Sequence, residues 1–317
     1  MTALASTVDA LGHGVHAIDT GFHRERFDAA YLVVHGGRAA FIDSGTSHSL
    51  PRLLGALEVA GVSVAQVDYV IPTHAHLDHA GGCGALMRAL PRARLVAHPR
   101  AAPHLIDPSI LLDSARGVYG EAEVARAYGD VPGIDAARVM TTHDGMTLDL
   151  AGRPLLFIDT PGHARHHHCI WDAATRGFFT GDTFGLSYRE FDTGRGAFAM
   201  PTTTPVQFEP DRLRASIERM LAYRPDCMYL THFGRVGDVA RLGASLLEQI
   251  DALVAMALPL RDHPDRHTAL KAGVEAVLFP RLRAHGCLHD DQTLRELLAL
   301  DIELNAQGMG IWLSRQA

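Results

Sequence analysis

Metal-binding side chains crowd the segment Thr73–His79, which directly follows a predicted strand. Its sequence, Thr-His-Ala-His-Leu-Asp-His, places three imidazoles and one carboxylate within six residues. Burying a polar group without a partner costs roughly 2–7 kcal/mol, so burial of all four groups would require a common binding partner. A cation is the simplest shared partner, and the segment therefore predicts a metal site at a strand end.

The strand Val67–Ile71 carries these side chains towards two different positions. Alternate residues of an extended stretch point the same way, so His74 and His76 can bind one ion. Asp78 and His79 lie at the turn into a following helix and can face a second ion. A solvated polar turn is the alternative interpretation, and the density of imidazoles disfavours it.

Strand-like and helical segments alternate through the first part of the chain, which is typical of an α/β fold. Tyr31–Val34 and Ala39–Ile42 predict a hairpin around a His-Gly-Gly-Arg turn. The apolar spacing of Leu50–Ala60 predicts a helix that ends at Gly61. A helical excursion over residues 101–130 interrupts this order, and we interpret it as a flap over the core.

Two eight-residue segments, Val67–His74 and Pro225–His232, echo each other, since each runs from Asp through apolar residues to Thr-His. The echo suggests a pseudo-duplicated sandwich whose halves meet at those strand ends, with a chance match as the alternative. After about Ala240 the pattern becomes helical throughout, with helices predicted over Leu246–Leu258, Ala269–His285 and Thr293–Leu313. We therefore predict a catalytic domain over residues 1–240 and a C-terminal helical extension over residues 241–317.

Composition and charge exclude other classes of function. Among the 317 residues, 29 Lys and Arg stand against 36 Asp and Glu, a net charge of −7, so a nucleic-acid partner is not expected. The four cysteines are scattered, and 20 histidines make imidazole the main candidate ligand. The N-terminal residues lack a basic and apolar leader, and no apolar run is long enough to span a bilayer. We expect a cytoplasmic protein without a membrane partner.

The histidine run and its downstream partners resemble the metallo-β-lactamase superfamily over roughly residues 10–240. In that family the run is followed by a single His, a bridging Asp and a last His, each at a strand end. The matching residues are His163 in Asp-Thr-Pro-Gly-His, Asp182 in Phe-Thr-Gly-Asp and His232 in Leu-Thr-His. The resemblance implies an α/β fold, a four-layer αββα sandwich with the C-terminal helices appended.

The resemblance also implies a dinuclear metal site with seven ligands. The first ion takes His74, His76 and His163, the second takes Asp78, His79 and His232, and Asp182 bridges both. Asp43, which ends the run Phe-Ile-Asp, matches a carboxylate of the family that orients a ligating imidazole through its other nitrogen.

Nitrogen and oxygen donors without thiolate suit Zn²⁺, which we favour, and also Fe²⁺ or Mn²⁺. Two such ions can hold a bridging water, lower its pKa towards about 7 and polarise the carbonyl that it attacks. We therefore predict a hydrolase of an ester, thioester or lactone, similar to glyoxalase II and acyl-homoserine-lactone lactonases. Asp78 is a candidate to carry the proton. Tyr188 is a candidate hydrogen-bond donor to the oxyanion, although a packed tyrosine is more common.

Three alternatives to this hydrolase stay open. A mononuclear iron persulfide dioxygenase of the same superfamily would use only the residues equivalent to His74, His163 and Asp182. β-Lactamase-type amide hydrolysis would be expected with an export signal, and a non-catalytic binding protein would be expected to have lost ligands.

Apolar side chains between Phe184 and Thr204 predict a pocket for the acyl group of a small molecule.

Two further features have less specific interpretations. His166 is a candidate pocket residue, whereas His167 and His168 are interpreted as strand residues outside the site. The apolar residues between Leu294 and Leu304 are too many for one narrow stripe, so part of that helix is expected to be buried. Packing within the chain is favoured over a contact in a homodimer, which the sequence alone does not separate.

Overall fold

The computed structural model describes residues 5–203 and 205–316, which fall into two compact units. Unit 1 takes its residues from Met1–Asp159, His166–Gly181 and Cys227–Arg235; unit 2 takes them from Thr160–Arg165, Asp182–Asp226 and Val236–Ala317. The chain thus passes repeatedly from one unit to the other. The predicted boundary at residue 240 lies near the last of these passages, and as a division into domains it stays a prediction.

Strands and helices are numbered separately, in chain order, among the described residues. The strands are β1 (Val8–Gly12), β2 (Val15–Asp19), β3 (Ala29–His35), β4 (Arg38–Ile42), β5 (Val67–Ile71), β6 (Arg94–Ala97), β7 (Val139–Thr141), β8 (Thr147–Leu150), β9 (Arg153–Asp159), β10 (His168–Asp172), β11 (Gly177–Gly181), β12 (Cys227–Leu230) and β13 (Gly234–Val236). The helices are α1 (Leu50–Val59), α2 (Leu77–Ala80), α3 (Cys83–Ala89), α4 (Ala102–Ile106), α5 (Ser109–Tyr119), α6 (Glu121–Tyr128), α7 (Pro210–Ala222), α8 (Val239–Ala257), α9 (Arg266–His285), α10 (Asp291–Leu297) and α11 (Ala299–Ser314).

These strands form two sheets. The first sheet has the order β1-β2-β3-β4-β5-β6-β7, antiparallel from β1 to β4 and parallel from β4 to β7. The second has the order β13-β12-β11-β10-β9-β8, with antiparallel pairs from β8 to β11 and a parallel pair of β11 with β12. Parallel neighbours need a crossover connection, and residues 182–226 of unit 2 supply it between β11 and β12.

The predicted hairpin between β3 and β4 is confirmed. His35 pairs with Arg38, so the two residues between them form the whole turn. Gly36 and Gly37 have φ of 54° and 72°, the left-handed conformation that a two-residue hairpin turn of this type requires at both positions. The strand predicted over Val67–Ile71 is also confirmed as β5, and it delivers Thr73 and His74 at its carboxyl end.

Two apolar cores stabilise unit 1. The first packs α1 and α3 against one face of the first sheet, and it includes Phe41, Leu57 and Leu86. The second lies between the two sheets, where Tyr31 of β3 contacts Phe179 of β11 with ring centroids 5.2 Å apart. Each large apolar side chain buried in this way contributes about 1.5–3 kcal/mol. Unit 1 thereby shows three successive layers, helix, sheet and sheet.

A buried ion pair joins the start of β9 to the end of β10. Arg153 is 2% exposed and Asp172 is 0% exposed, and Nε of Arg153 donates to Oδ1 of Asp172 at 3.0 Å. A second guanidinium nitrogen of Arg153 donates to the backbone oxygen of His13 at 2.6 Å. Each charge is therefore compensated by the other, and removal of either one would leave its partner buried and unpaired.

The helical extension differs in detail from its prediction. Helix α8 begins at Val239 rather than at Leu246, because Val239 and Leu242 are buried on the same helical face. The last predicted helix is broken at Leu298, whose backbone (φ −104°, ψ 12°) leaves the helical conformation and separates α10 from α11. Apolar periodicity continues across this break, which is why the sequence predicted one helix.

One helical stretch among the described residues, Val239–Leu260, is long and apolar enough to cross a membrane by length and composition. Core helices of soluble proteins pass the same test, and this stretch is partly buried in unit 2. By itself it is weak support for a membrane span.

Candidate metal centre

The carboxylate of Asp43 organises the strand ends behind the histidine segment of unit 1. It is 1% exposed and accepts hydrogen bonds from the backbone N–H of Thr73 at 2.7 Å and from the hydroxyl of Thr231 at 2.7 Å. It also accepts from the Thr73 hydroxyl at 3.0 Å and from Nδ1 of His79 at 2.9 Å. Because Nδ1 of His79 holds its proton towards this carboxylate, the ring presents Nε2 as its ligand nitrogen.

Asp78, His79 and His232 converge in unit 1. One ligand atom from each lies within 4.8 Å of the others. The Oδ2 atom of Asp78 is 3.3 Å from Nε2 of His232 and 3.7 Å from Nε2 of His79. Nδ1 of His232 donates to the backbone oxygen of Phe27 at 3.1 Å, which again leaves Nε2 as the ligand nitrogen. Three nitrogen and oxygen donors at this spacing fit one divalent cation.

His74 and His76 form a second convergence in unit 1. Nε2 of His74 lies 2.8 Å from Nδ1 of His76, and the His74 ring is fully buried. The alternation expected for an extended stretch brings these two rings to the same side, while Ala75 between them packs into the core.

His163 and Asp182 meet in unit 2. Nε2 of His163 is 3.3 Å from Oδ2 of Asp182, and the imidazole is fully buried. The preceding Gly162 has φ of 132°, and a Cβ atom there would lie 2.2 Å from the backbone nitrogen of Leu213. Only glycine allows this close approach, so the first turn of α7 fixes the backbone that carries His163.

Each unit therefore gathers its own predicted ligands. Unit 1 holds Asp43 behind the group formed by Asp78, His79 and His232, and unit 2 holds the pair His163 and Asp182. The donors are imidazole nitrogens and carboxylate oxygens, which suit Zn²⁺, Fe²⁺ or Mn²⁺ without distinguishing among them. The metal's identity, the number of ions and the assignment of each ligand stay predictions.

The three histidines after Arg165 lie in different surroundings within unit 1. The interpretation of His167 as a strand residue outside the site is wrong: it precedes β10, is fully buried, and stacks its ring on that of His74 with centroids 4.7 Å apart. His166 accepts a hydrogen bond from the backbone N–H of Ala75 at 3.3 Å, and its ring centroid is 5.6 Å from that of His76. Burial lowers the pKa of His166 to about 3, so its ring is neutral. His168 is fully buried between the Thr142 hydroxyl and the Pro72 carbonyl, both at 3.0 Å, which is a packing role.

Tyr188 is buried in unit 2 and has a partner there. Its side chain is 1% exposed, and its hydroxyl donates to Oδ1 of Asp301 on α11 at 3.0 Å. A role of this hydroxyl at an oxyanion stays a prediction.

Sequence reasoning missed one buried carboxylate near the ligands, that of Asp28. It is fully buried, and burial raises its pKa to about 7 although His232 and His79 oppose that shift. The Thr20 hydroxyl donates to its Oδ2 atom at 2.9 Å. Asp28 precedes an apolar strand in the sequence, where a solvated loop carboxylate is the usual occurrence, so no local pattern marks it.

Comparison with known proteins agrees with this geometry. A family model described as the metallo-beta-lactamase superfamily matches residues 23–232. A hydroxyacylglutathione hydrolase of Acidiphilium cryptum is 30% identical over 272 residues, which cover 80% of this chain and 90% of that enzyme. The metallo-beta-lactamase fold-containing protein ST1585 of Sulfurisphaera tokodaii is 26% identical over 229 residues, 70% of this chain and 79% of that protein.

Solved structures show the same fold. The crystal structure of a metallo-beta-lactamase family protein, TTHA1429 from Thermus thermophilus, aligns with a TM-score of 0.69 at 19% identity, over 97% of this chain and 95% of that one. The structure of ST1585 aligns with a TM-score of 0.67 at 22% identity, over 96% of this chain and all of the other. These alignments confirm the predicted α/β sandwich. Because the matched residues 23–232 include Asp43 and every predicted ligand from His74 to His232, the chain belongs to the metallo-β-lactamase superfamily.

Proposed function

We propose that this protein is a metal-dependent hydrolase that cleaves a thioester, ester or lactone bond of a small acyl substrate. The observation that carries the proposal is the complete set of seven predicted ligands within the family match. The convergence of Asp78, His79 and His232 within 4.8 Å supports it, since a member that had lost its chemistry would not need to keep this group. The proposed ions are two Zn²⁺, with Fe²⁺ or Mn²⁺ as alternatives.

A thioester is the first substrate class to test. The Acidiphilium cryptum relative is, by its name, a hydrolase of a hydroxyacylglutathione, and the similarity extends over 80% of this chain. A net charge of −7 supports a small molecule rather than a nucleic acid as the substrate.

The chemistry divides between the ions and the residues that hold them. When bound, the ions supply a water of lowered pKa and polarise the carbonyl under attack. Asp43 and the Phe27 carbonyl fix the rings of His79 and His232, so that both imidazoles keep their ligand nitrogens aligned without reorganisation. The Asp78 side chain is 24% exposed, whereas those of His79 and His232 are 0% and 5% exposed. Asp78 is therefore the member of this group that can pass a proton to solvent.

Metal analysis combined with a substrate panel tests the proposal. The purified protein is assayed for Zn, Fe and Mn by mass spectrometry and then offered thioesters, lactones, aryl esters and a β-lactam. We expect about two metal ions per chain and turnover of a thioester or lactone that a chelator abolishes. His76→Ala and Asp182→Ala should reduce kcat at least about a hundredfold, because each removes a ligand. His35→Ala, at an exposed histidine, is the matched control and should leave turnover unchanged.

The alternatives give different results. One equivalent of iron, with oxygen consumed on addition of a persulfide, would replace the hydrolase by the dioxygenase. Turnover of the β-lactam alone would change the bond class from ester-like to amide. Unchanged hydrolysis in both His76→Ala and Asp182→Ala would rule out the proposed mechanism.

A further inference from the structure

A single peptide group in unit 2 connects the ligand His163 to the C-terminal helix α11. Nδ1 of His163 lies 3.5 Å from the backbone oxygen of Thr202. A carbonyl oxygen only accepts hydrogen bonds, so Nδ1 must carry the ring's proton towards it. The opposite nitrogen, Nε2, then faces Asp182 and is the atom that can bind a metal.

The other end of the same peptide group is held by Asn305. The backbone N–H of Thr203 donates to Oδ1 of Asn305 at 2.8 Å, and the Thr203 hydroxyl donates to the same atom at 2.8 Å. The Thr202 carbonyl and the Thr203 N–H belong to one planar unit, because rotation about the bond between them is blocked. A hydrogen bond that fixes the N–H therefore also fixes the direction of the carbonyl that His163 uses.

The amide of Asn305 is itself oriented. Its Nδ2 donates to the backbone oxygen of Asp301 at 2.8 Å, so Oδ1 must point towards Thr203. Asn305 is 2% exposed and Thr203 is fully buried, which keeps water from replacing either partner. Asp301 lies one helical turn earlier on the same face of α11, and its carboxylate accepts a hydrogen bond from the Tyr188 hydroxyl. This bond fixes the first part of the same crossover.

Other helices of unit 2 also hold this crossover but at different residues. Nε2 of Gln249 on α8 donates to the backbone oxygen of Ala199 at 2.8 Å. Nε2 of His285 on α9 donates to the backbone oxygen of Gly196 at 2.9 Å. Neither side chain contacts the peptide group between Thr202 and Thr203. Removal of either contact would therefore loosen the crossover without acting on the carbonyl that accepts from His163.

We propose that Asn305 is a positioning residue for the metal ligand His163, and that it acts through the peptide group between Thr202 and Thr203. The inference rests on the proposed function only in taking His163 as a ligand. It assigns the C-terminal helices a role in setting the geometry of one metal ligand, in addition to their role in packing.

Metal release from the holoenzyme, together with histidine spectra of the metal-free protein, tests the proposal. Asn305→Leu removes the acceptor of the Thr203 N–H and leaves its hydroxyl only the backbone oxygen of residue 305. Gln249→Leu is the matched control, since it removes an equally buried amide that contacts the same crossover. We expect Asn305→Leu to release one of its ions to a chelator about 10- to 100-fold faster than the wild type, since loss of an outer hydrogen bond on a ligand typically weakens metal affinity by that factor. Gln249→Leu should release both ions at the wild-type rate.

Two milder variants cover the case in which Asn305→Leu fails to fold. Thr203→Val keeps the N–H donor and loses the hydroxyl, and should release one ion about fivefold faster, the effect of one net hydrogen bond. Asn305→Asp keeps an acceptor oxygen for Thr203 but loses the donor to the Asp301 carbonyl, so its release rate should lie between those of the wild type and Asn305→Leu. Two results would overturn the proposal. One is a wild-type rate of metal release in both single variants, Thr203→Val and Asn305→Leu. The other is a release rate that rises as much in Gln249→Leu as in Asn305→Leu.

Histidine spectra of the metal-free protein separate this inference from the proposed function. With ¹⁵N-labelled histidine, His163 should carry its proton on Nδ1 in the wild type and in Gln249→Leu, and should lose that preference in Asn305→Leu. Suppose that the wild type binds no metal and that His163 nevertheless loses its Nδ1–H preference in Asn305→Leu. This result would refute the proposed hydrolase function and support the positioning role of Asn305. An unchanged Nδ1–H signal in Asn305→Leu would refute the positioning even if the enzyme is a hydrolase.

Discussion

Replacement of Asp43 by alanine should destabilise the protein even without metal. The substitution removes the acceptor for the Thr73 N–H, the Thr73 and Thr231 hydroxyls and Nδ1–H of His79. The two hydroxyls can rotate towards other acceptors, but the two N–H donors cannot. Each buried donor left unpaired costs about 1–3 kcal/mol, so the pair accounts for about 2–6 kcal/mol. Asp43 has φ of 56°, and alanine in that conformation adds about 1 kcal/mol.

The expected total, about 3–7 kcal/mol, is a large part of the 5–15 kcal/mol by which a typical protein is stable. Asp43→Asn is the matched control, because asparagine has the same shape and tolerates the left-handed backbone. Its amide offers one acceptor oxygen instead of two, so it should lose only about 1–3 kcal/mol. Urea unfolding in the presence of a chelator, followed by far-ultraviolet circular dichroism, measures both losses.

Two results would contradict this reasoning. A loss below about 1 kcal/mol in Asp43→Ala, with an unchanged dependence on urea, would mean that the N–H donors find other acceptors. Equal losses in Asp43→Ala and Asp43→Asn would mean that charge, rather than the number of acceptors, determines the effect.

Three further perturbations follow from contacts elsewhere. Gly162→Ala should lose about 2–4 kcal/mol in urea unfolding, from backbone strain at φ of 132° and from overlap with α7, and a loss under about 1 kcal/mol would contradict the close approach. Arg153→Met should lose about 3–5 kcal/mol by leaving Asp172 buried and unpaired; the double variant Arg153→Met/Asp172→Leu should recover part of it, and no recovery would count against the buried charge as the cause. Hydrogen bonds from Lys271 and Gln307 lower the pKa of Glu303 from 4.5 to about 2, so the stability that they contribute is present above pH 4.5 and is lost as the pH falls towards 2. The stability difference between wild type and Glu303→Gln should therefore close over that range, and a constant difference would contradict the assignment.

The parts of the site that the sequence predicts are those encoded within a few residues. His74, His76, Asp78 and His79 lie in one segment after one strand, and the local geometry of an extended stretch followed by a turn is enough to group them. The hairpin at Gly36 and Gly37 is predictable for the same reason, since two residues determine the turn.

Contacts between distant segments leave no comparable mark in the sequence. Thr203 and Asn305 are 102 residues apart, and no local sequence pattern around either residue indicates their contact. In the sequence, Arg153 follows Gly152 at a predicted turn, where an arginine is expected at the surface. Its pairing with Asp172 arises only when β9 and β10 align. The break at Leu298 is equally hidden, because the apolar spacing on both sides continues through it.

The hydrogen bond between Asp43 and Thr231 spans 188 residues of the chain, and it bears on when the protein becomes able to bind metal. During synthesis, β4, β5 and α2 emerge early, and they can pair and pack as a local group. Thr231 and His232 leave the ribosome only after the whole crossover of unit 2 has been made. The nascent chain therefore carries a strand-end carboxylate and several histidines while residues 80–231 are being made, and the three-residue group around Asp78 closes only after that. Capture of the proposed metal by this group would therefore depend on the docking of β12 rather than on the first appearance of the histidine segment.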